Sequence, residues 1–400
     1  MITLIGMGAG TPGSLSVQGQ AVLRKADLIL GARRLLEDLP EGCTSNRKAL
    51  YKPEEILACL SETTAENTAI LYSGDTGFYS GASRLLPMLR AFGISCNVIP
   101  GISSVQLLAA AVGRTWQDWK LVSAHGCACS PVAECMTAGE HPVFFLTGGT
   151  ETPATLCTSL TSAGLGEAHA LVGENLGTPE EKISFGTAEA FSQRKFASLS
   201  VLLVEHFPQP PRRTSGFPDD AFLRGEVPMT KQEVRAAALA KLAVQPADVL
   251  WDVGAGTGSV SVELALAAPQ GQTYAVECDP AACALVRKNR DKFSAYNLTL
   301  IEGKAPDALE ALPAPDAVFI GGTKGNMAAV VDAVLRKNPS ARICISAIAL
   351  ETLSAAVAAL TAHGLSAEVI QIAVSRTKPA GKLHLLMANN PIFLITGERP

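Results

Sequence analysis

Nothing in the chain approaches the roughly 20 consecutive apolar residues that a helix needs to cross a bilayer. Its first residues, "MITLIG", run straight into a strand-like pattern, without the basic segment, apolar stretch and small-residue cleavage site of an export signal. A cytoplasmic protein without a membrane partner is expected. Aromatic residues are only 5% of the 400, and the formal net charge is −4, with a pI near 5.9. A nucleic-acid surface needs a basic face with stacking rings, so no nucleic-acid partner is expected. The ten cysteines are scattered and lack the paired C-x2-C knuckles of a zinc site. One cluster, "HGCACSPVAEC", brings together His125, Cys127, Cys129 and Cys135 with C-x-C-x5-C spacing. Reduced, incidental thiols suit it better than a metal or a disulfide framework, and no metal is expected.

What is present is a balanced globular composition, 48% hydrophobic and 18% charged, in a chain longer than one hydrophobic core usually serves. "FPQPPRRTSGFPDD" carries four prolines between two patterned regions and reads as an inter-domain linker. Domains over residues 1–207 and 219–400 follow, joined by a linker over 208–218. Before the linker, short β-rich runs such as "TAILYSG" and "VFFLTGG" alternate with helical patterns such as "GASRLLPMLRAF", which implies an α/β architecture. After it the alternation is more regular. Seven strand candidates from "DVLWDV" to "LHLLMAN…IFLITG" suggest a doubly wound sheet finishing in a β-hairpin between "AEVIQIAV" and "LHLLMA".

Each half has a glycine-rich turn after its first strand: "LIGMGAGTPGSLS" with Gly6, Gly8 and Gly10, and "LWDVGAGTGSVSVELA" with Gly254, Gly256 and Gly258. Such strand-to-helix turns commonly hold the anionic part of a nucleotide-like ligand on helix-start amides. The dinucleotide fingerprint requires glycine at the sixth position, where the two loops have Thr11 and Ser259. A nicotinamide dehydrogenase is therefore disfavoured twice. In the second half, Asp252 closes the first strand and Glu277 the second. An acid at the latter position can accept hydrogen bonds from both hydroxyls of a ribose, whereas Asp252 is equally placed to cap a helix or loop. This arrangement is similar to that of class I methyltransferases that use S-adenosyl-L-methionine. After the fourth strand, "FIGGTKG" stands where base-modifying methyltransferases carry N/D-P-P-aromatic. Its glycines and Lys324 suit a bulky substrate better than a flipped base.

The second half resembles the decarboxylating methyltransferase domain of corrin biosynthesis, through "VPMTKQEVRA", "LWDVGAGTGSVSVE", "EGKAPDAL", "PDAVFIGG" and "NPIFLITG". The first half resembles the tetrapyrrole methylase family, through "LIGMGAGTPGSLS", "LYSGDTGFYSGA", "VIPGISSVQLLAAAVG", "SAHG" and "GENLGTPEEKI". Both in this order resemble the bifunctional, decarboxylating precorrin-6Y methyltransferases. The resemblance implies a tetrapyrrole methylase fold followed by a Rossmann-like class I fold with a seven-stranded sheet. It also implies one S-adenosyl-L-methionine site per domain. In the first half Gly8, Gly74, Asp75, Phe78, Ser103 and Ser104 would contact the cofactor. In the second, Thr230, Gly254, Ala255, Gly256, Thr257, Gly258, Glu277 and Ala305 would do so. Ser103 and Ser104 are also placed to cap the following helix, and Asp75 to form a turn. Two positions depart from the family: Ala9 replaces a common proline, and Cys127 a common basic residue after "HG".

The implied reaction puts methyl groups on carbons 5 and 15 of a precorrin-6 macrocycle and removes carbon dioxide from the ring C acetate, giving precorrin-8. A methyltransferase acting on another tetrapyrrole, or a nucleotide-dependent dehydrogenase, are the alternatives. Electron-rich acceptor carbons need alignment and exclusion of water rather than a strong base, in keeping with a sequence that has no triad pattern. A polycarboxylate substrate calls for cations. Candidates are Arg33, Arg34, Arg84 and Arg114 in the first half, and Lys231, Arg235, Lys324, Arg376, Lys378 and Lys382 in the second. Lys231 and Arg235, four apart, are expected to share a helix face toward one substrate carboxylate. A homo-oligomer is expected.

Overall fold

The computed structural model of the protein describes residues 1–37, 39–210 and 212–398. Two compact units emerge. One comprises Met1–Cys129, His141–Thr158 and Glu167–His206; the other comprises Ser130–Glu140, Ser159–Gly166 and the chain from Phe207 onward.

The first unit has two five-stranded sheets. β1 (Ile2–Gly6), β2 (Leu28–Leu30), β3 (Arg47–Lys48), β4 (Thr68–Tyr72) and β5 (Cys96–Ile99) lie in the order β3-β2-β4-β1-β5. All are parallel, and the apolar runs of β1 and β4 are buried, as strands covered on both faces require. The second sheet contains β6 (Lys120–Ser123), β7 (Val143–Leu146), β8 (His169–Glu174), β9 (Lys182–Thr187) and β10 (Ser200–Glu205), in the order β6-β7-β10-β8-β9. Only its β6–β7 pair is parallel.

In the second unit β11 (Val249–Val253), β12 (Gln272–Glu277), β13 (Leu298–Glu302), β14 (Ala317–Ile320), β15 (Arg342–Ala347), β16 (Ser366–Ile372) and β19 (Ile392–Glu398) form one sheet, ordered β13-β12-β11-β14-β15-β19-β16. The direction of winding reverses between β11 and β14, the place where doubly wound sheets open a crevice. The Ser259–Ala267 helix behind β11 is enclosed by protein: each residue from Ser259 to Leu266 is buried, Glu263 included.

The seven-stranded sheet agrees with expectation, but its last strands are distributed differently. Sequence alternation treats "LHLLMAN…IFLITG" as one strand partnering "AEVIQIAV". In the structure Asn389–Pro391 break it. β16 pairs antiparallel with β19, which lies between β16 and β15. β17 (Ser375–Ala380) and β18 (Leu383–Ala388) pair only with each other. Every residue of this arm is exposed, including Leu383 and Leu386 at 67% and 74%. Alternation reveals a strand but not which neighbour it takes.

Gly216 and Phe217 of the expected linker pack within the second unit. The Gly216 and Phe217 amides donate to the Glu263 carboxylate at 2.7 and 3.1 Å, and Phe217 stacks edge-on against Phe222 and Phe293. Among the described residues no helix is long and apolar enough to cross a membrane.

Candidate cofactor and substrate sites

In the first unit, the loops after β1, β4 and β5 meet at the ends of their parallel strands. Gly8 and Gly74 exchange backbone hydrogen bonds at 3.1 and 2.9 Å. The Asp75 carboxylate clips the next loop in place, accepting from the Gly77 amide at 2.7 Å and the Gly101 amide at 3.0 Å. Ser103 starts the Ser104–Ala111 helix; its amide donates to Gln106 Oε1 at 2.8 Å and its hydroxyl at 2.9 Å. Beside these loops is a cavity of about 290 Å³ lined by all six predicted residues, Gly8, Gly74, Asp75, Phe78, Ser103 and Ser104. Its opposite wall comes from the second sheet and includes His125, Thr147 and Asn175, which glycine-loop reasoning does not reach. Of the four candidate cations only Arg34 lines it, with Nη2 donating to Ser73 Oγ at 3.1 Å. Arg114 instead pairs with Glu205 at 2.7 Å.

In the second unit a cavity of about 560 Å³ opens at the ends of β11, β12, β14 and β15. Thr230, Gly254, Ala255, Gly256 and Glu277 line it. Gly254, at φ +75°, approaches so closely that a Cβ would lie 2.4 Å from the Gly322 carbonyl oxygen, so only glycine fits. Thr257, Gly258 and Ala305 are not among the lining residues. Thr257 is 1% exposed. Gly258 is a packing glycine: a Cβ there would meet the backbone of Val286 at 3.1 Å. Ala305 is buried in the apolar cluster around Leu309. Repeated glycine spacing does not separate space made for a ligand from space made for a neighbouring helix.

Four of the loop amides are bonded within the protein rather than left for a ligand. The Gly254 and Ala255 amides donate to the Val276 carbonyl at 2.9 and 3.2 Å, and that of Gly258 to Ala255 at 2.8 Å. The Gly256 amide donates to Glu277 Oε2 at 2.9 Å. Glu277, 8% exposed, also accepts on Oε1 from the Cys278 and Asp279 amides at 2.7 and 2.9 Å. The loop thus supplies close approach, and the ready acceptor is a carboxylate oxygen with lone pairs to spare. Asp252 lies fully buried beneath the loop; burial pushes its pKa up to about 7, against the hydrogen bond from Ser261.

The cations separate sharply. Lys231 and Lys324 line the cavity, and the Cys278 side chain beside Lys324, with Glu277 and Asp279 beyond, holds its pKa above the ordinary lysine value. Arg235, expected to face a substrate carboxylate, is 0% exposed. It pairs with Glu263 at 2.8 Å and Asp219 at 2.9 Å and donates to the Thr230 and Phe217 carbonyls. A charge buried this deeply is retained because each of its three nitrogens has a partner, and its burial keeps it from a ligand in the cavity. Arg376 is engaged with Glu233 at 2.8 Å, while Lys378 and Lys382 belong to the exposed arm. Among the described residues no three His, Cys, Asp or Glu side chains gather as a metal would require.

Residues 1–191 match the tetrapyrrole (corrin/porphyrin) methylases, and residues 220–398 match the precorrin methyltransferase domain. Together they define a two-domain tetrapyrrole methyltransferase. A precorrin-6Y C(5,15)-methyltransferase [decarboxylating] from Sinorhizobium is 30% identical over 388 residues, 95% of this chain and 92% of that one. The chain belongs to this family of decarboxylating precorrin-6Y C(5,15)-methyltransferases. A probable cobalt-precorrin-6B C(15)-methyltransferase (decarboxylating) from Pyrobaculum calidifontis is 44% identical over 189 residues, covering 46% of this chain and 97% of its own. The crystal structure of a precorrin-6Y C5,15-methyltransferase from Geobacter metallireducens shares 40% identity, covers 47% of this chain and 97% of its own, and superposes with a TM-score of 0.45.

Proposed function

We propose that the chain methylates carbons 5 and 15 of a precorrin-6 macrocycle and decarboxylates its ring C acetate to give precorrin-8. The tetrapyrrole methylase domain, to residue 207, would act at carbon 5. The domain from residue 219, beyond a linker over 208–218, would act at carbon 15 and host the decarboxylation. The observation that carries this division is that relatives matching less than half the chain bear both C(15)-methyltransferase and decarboxylating in their names, a length like that of the precorrin methyltransferase domain over residues 220–398.

S-adenosyl-L-methionine would supply an electrophilic methyl group in each domain, at the first cavity beside Gly8, Gly74, Asp75, Phe78, Ser103 and Ser104 and at the second beside Thr230, Gly254, Ala255, Gly256 and Glu277. The second cavity fits such a cofactor through Glu277, whose free lone pairs can take ribose hydroxyls. Glu277 and Asp279 also favour a ligand with positive charge, unlike a pyrophosphate. Lys231 and Lys324 are placed to bind macrocycle carboxylates. Gripping the departing carboxylate too firmly would oppose loss of carbon dioxide, so their task is positioning. The decarboxylation is self-sufficient in electrons: the pair released from the C–CO2 bond enters the conjugated system that methylation leaves cationic. We further propose a cytoplasmic homo-oligomer without nucleic-acid partners; the exposed leucines of the β17–β18 arm support self-association.

Mass analysis tests the reading. With excess S-adenosyl-L-methionine, the full chain is expected to convert precorrin-6 into a product heavier by two methyl groups and lighter by carbon dioxide. A Glu277→Gln, Lys324→Gln protein should give a product methylated once, with its acetate retained. Loss of carbon dioxide at an undiminished rate in that variant would overturn the division of labour.

A further inference from the structure

We infer that His125 is the proton acceptor of the first domain's methyl transfer, an inference that rests on that domain's acting at carbon 5. The two methylations differ in where their electrons come from. At carbon 15 the decarboxylation supplies a pair. At carbon 5 no bond to carbon dioxide breaks. When that carbon forms its bond to the methyl group and the S–CH3 pair stays on sulfur, conjugation is restored only if the C–H pair is left behind. A proton must leave, and something must take it.

The cavity offers few takers. Its ionisable lining residues are Arg34, Asp75, Tyr79 and His125. A guanidinium stays charged and accepts nothing. Both Asp75 oxygens hold backbone amides, so protonating that carboxyl would loosen the loops it joins. The Tyr79 hydroxyl donates to the Leu121 carbonyl at 3.0 Å.

His125 is differently placed. Its Nδ1 lies 3.1 Å from the Thr147 carbonyl oxygen. A carbonyl can only accept, so the hydrogen of the neutral ring sits on Nδ1, and Nε2 carries the basic lone pair. The ring's seat is built for it: a Cβ on Gly148 would lie 1.8 Å from Nδ1. Thr147, whose carbonyl fixes the tautomer, is itself anchored, its hydroxyl donating to the Ser200 carbonyl at 2.5 Å. A base oriented by a partner on its other nitrogen is the arrangement general-base histidines use. The step balances: substrate C–H, donor methyl and neutral imidazole become substrate C–CH3, a thioether and imidazolium, which water re-neutralises.

His125→Asn provides the test in the full-length protein, because its amide N–H can still reach the Thr147 carbonyl while carrying no base. Calorimetry should show S-adenosylhomocysteine bound as in the unaltered protein. Methylation at carbon 5 should fall on the order of 100-fold or more and recover in part with added imidazole. Nitrogen-15 spectra of the unaltered protein should show the neutral His125 ring protonated on Nδ1. An Nε2–H tautomer, an unchanged rate in the variant, or a loss of rate that imidazole does not restore would each overturn the assignment. Failure of the unaltered protein to methylate carbon 5 would overturn the underlying reading of the domain instead.

Discussion

Arg235 and Glu263 form an ion pair at 2.8 Å in which neither side chain is exposed to solvent. The pair belongs to a knot: Glu263 also holds the Gly216 and Phe217 amides, and Arg235 also holds Asp219 and the Thr230 carbonyl. It thereby pins the segment leading to Thr230 and Lys231 against the Ser259–Ala267 helix. Removing one partner leaves an uncompensated buried charge, which costs about 3–5 kcal/mol. Arg235→Met should therefore lower the urea midpoint for unfolding of the second unit strongly, whereas Arg235→Met combined with Glu263→Leu should recover much of the loss. Equal destabilisation by single and double variants would show that packing, not charge, dominates.

Glu277→Gln should weaken S-adenosylhomocysteine binding at one of two sites by about 1–3 kcal/mol, the range for hydrogen bonds to a charged acceptor. Glutamine preserves side-chain volume and keeps one oxygen for the Cys278 and Asp279 amides, while its NH2 replaces the Oε2 acceptor that meets the Gly256 amide. Isothermal titration of the full chain would resolve the two sites; loss of affinity at both, or neither, would contradict a single-domain role.

Asp252 makes stability depend on pH in a direction opposite to that of salt-bridged carboxylates. Its folded pKa of about 7 lies above the unfolded value near 3.9, so the folded state holds the proton more tightly. Its contribution is fully present below about pH 4, declines between 4 and 7, and is gone above. Asp252→Asn should flatten that part of the stability profile, measured as urea midpoint against pH. A slope unchanged by the substitution would assign it to other groups.

Replacing Leu383 and Leu386 together by serine should lower the oligomeric state measured by light scattering, with little change in thermal midpoint of the protomer fold, because neither side chain is packed. An unaltered protein that is already monomeric at micromolar concentration would end this proposal.

What the sequence made legible divides along a physical line. Strands with both faces buried, such as "AVFI" and "AILY", announce themselves because burial demands unbroken apolar runs. That the six first-domain residues and Glu277 lie at cavities follows from local pattern, because close approach and charge at a strand end leave little choice of residue type. Arg235 was misread: helical spacing with Lys231 tells which residues share a face but not whether that face meets solvent. Gly258 was indistinguishable from Gly254, since a glycine yielding to Val286 looks like one yielding to Gly322. His125 stood out only as a neighbour of cysteines; its seat depends on Gly148, 23 positions away, and on Thr147, pairings made by strand order.

The placement of β19 between β15 and β16 bears on how the polypeptide is made. A ribosome delivers β16 before its sole partner exists, for β16 touches the sheet only through β19, and the β17–β18 arm is translated in between. Until Ile392 and the residues after it emerge, β15 presents an open edge of unpaired amides and carbonyls, the feature that recruits foreign strands. A message truncated between the codons for Ala347 and Ile392 would yield a product with most of its cofactor crevice and an unsealed sheet, a species for chaperones and proteases to intercept.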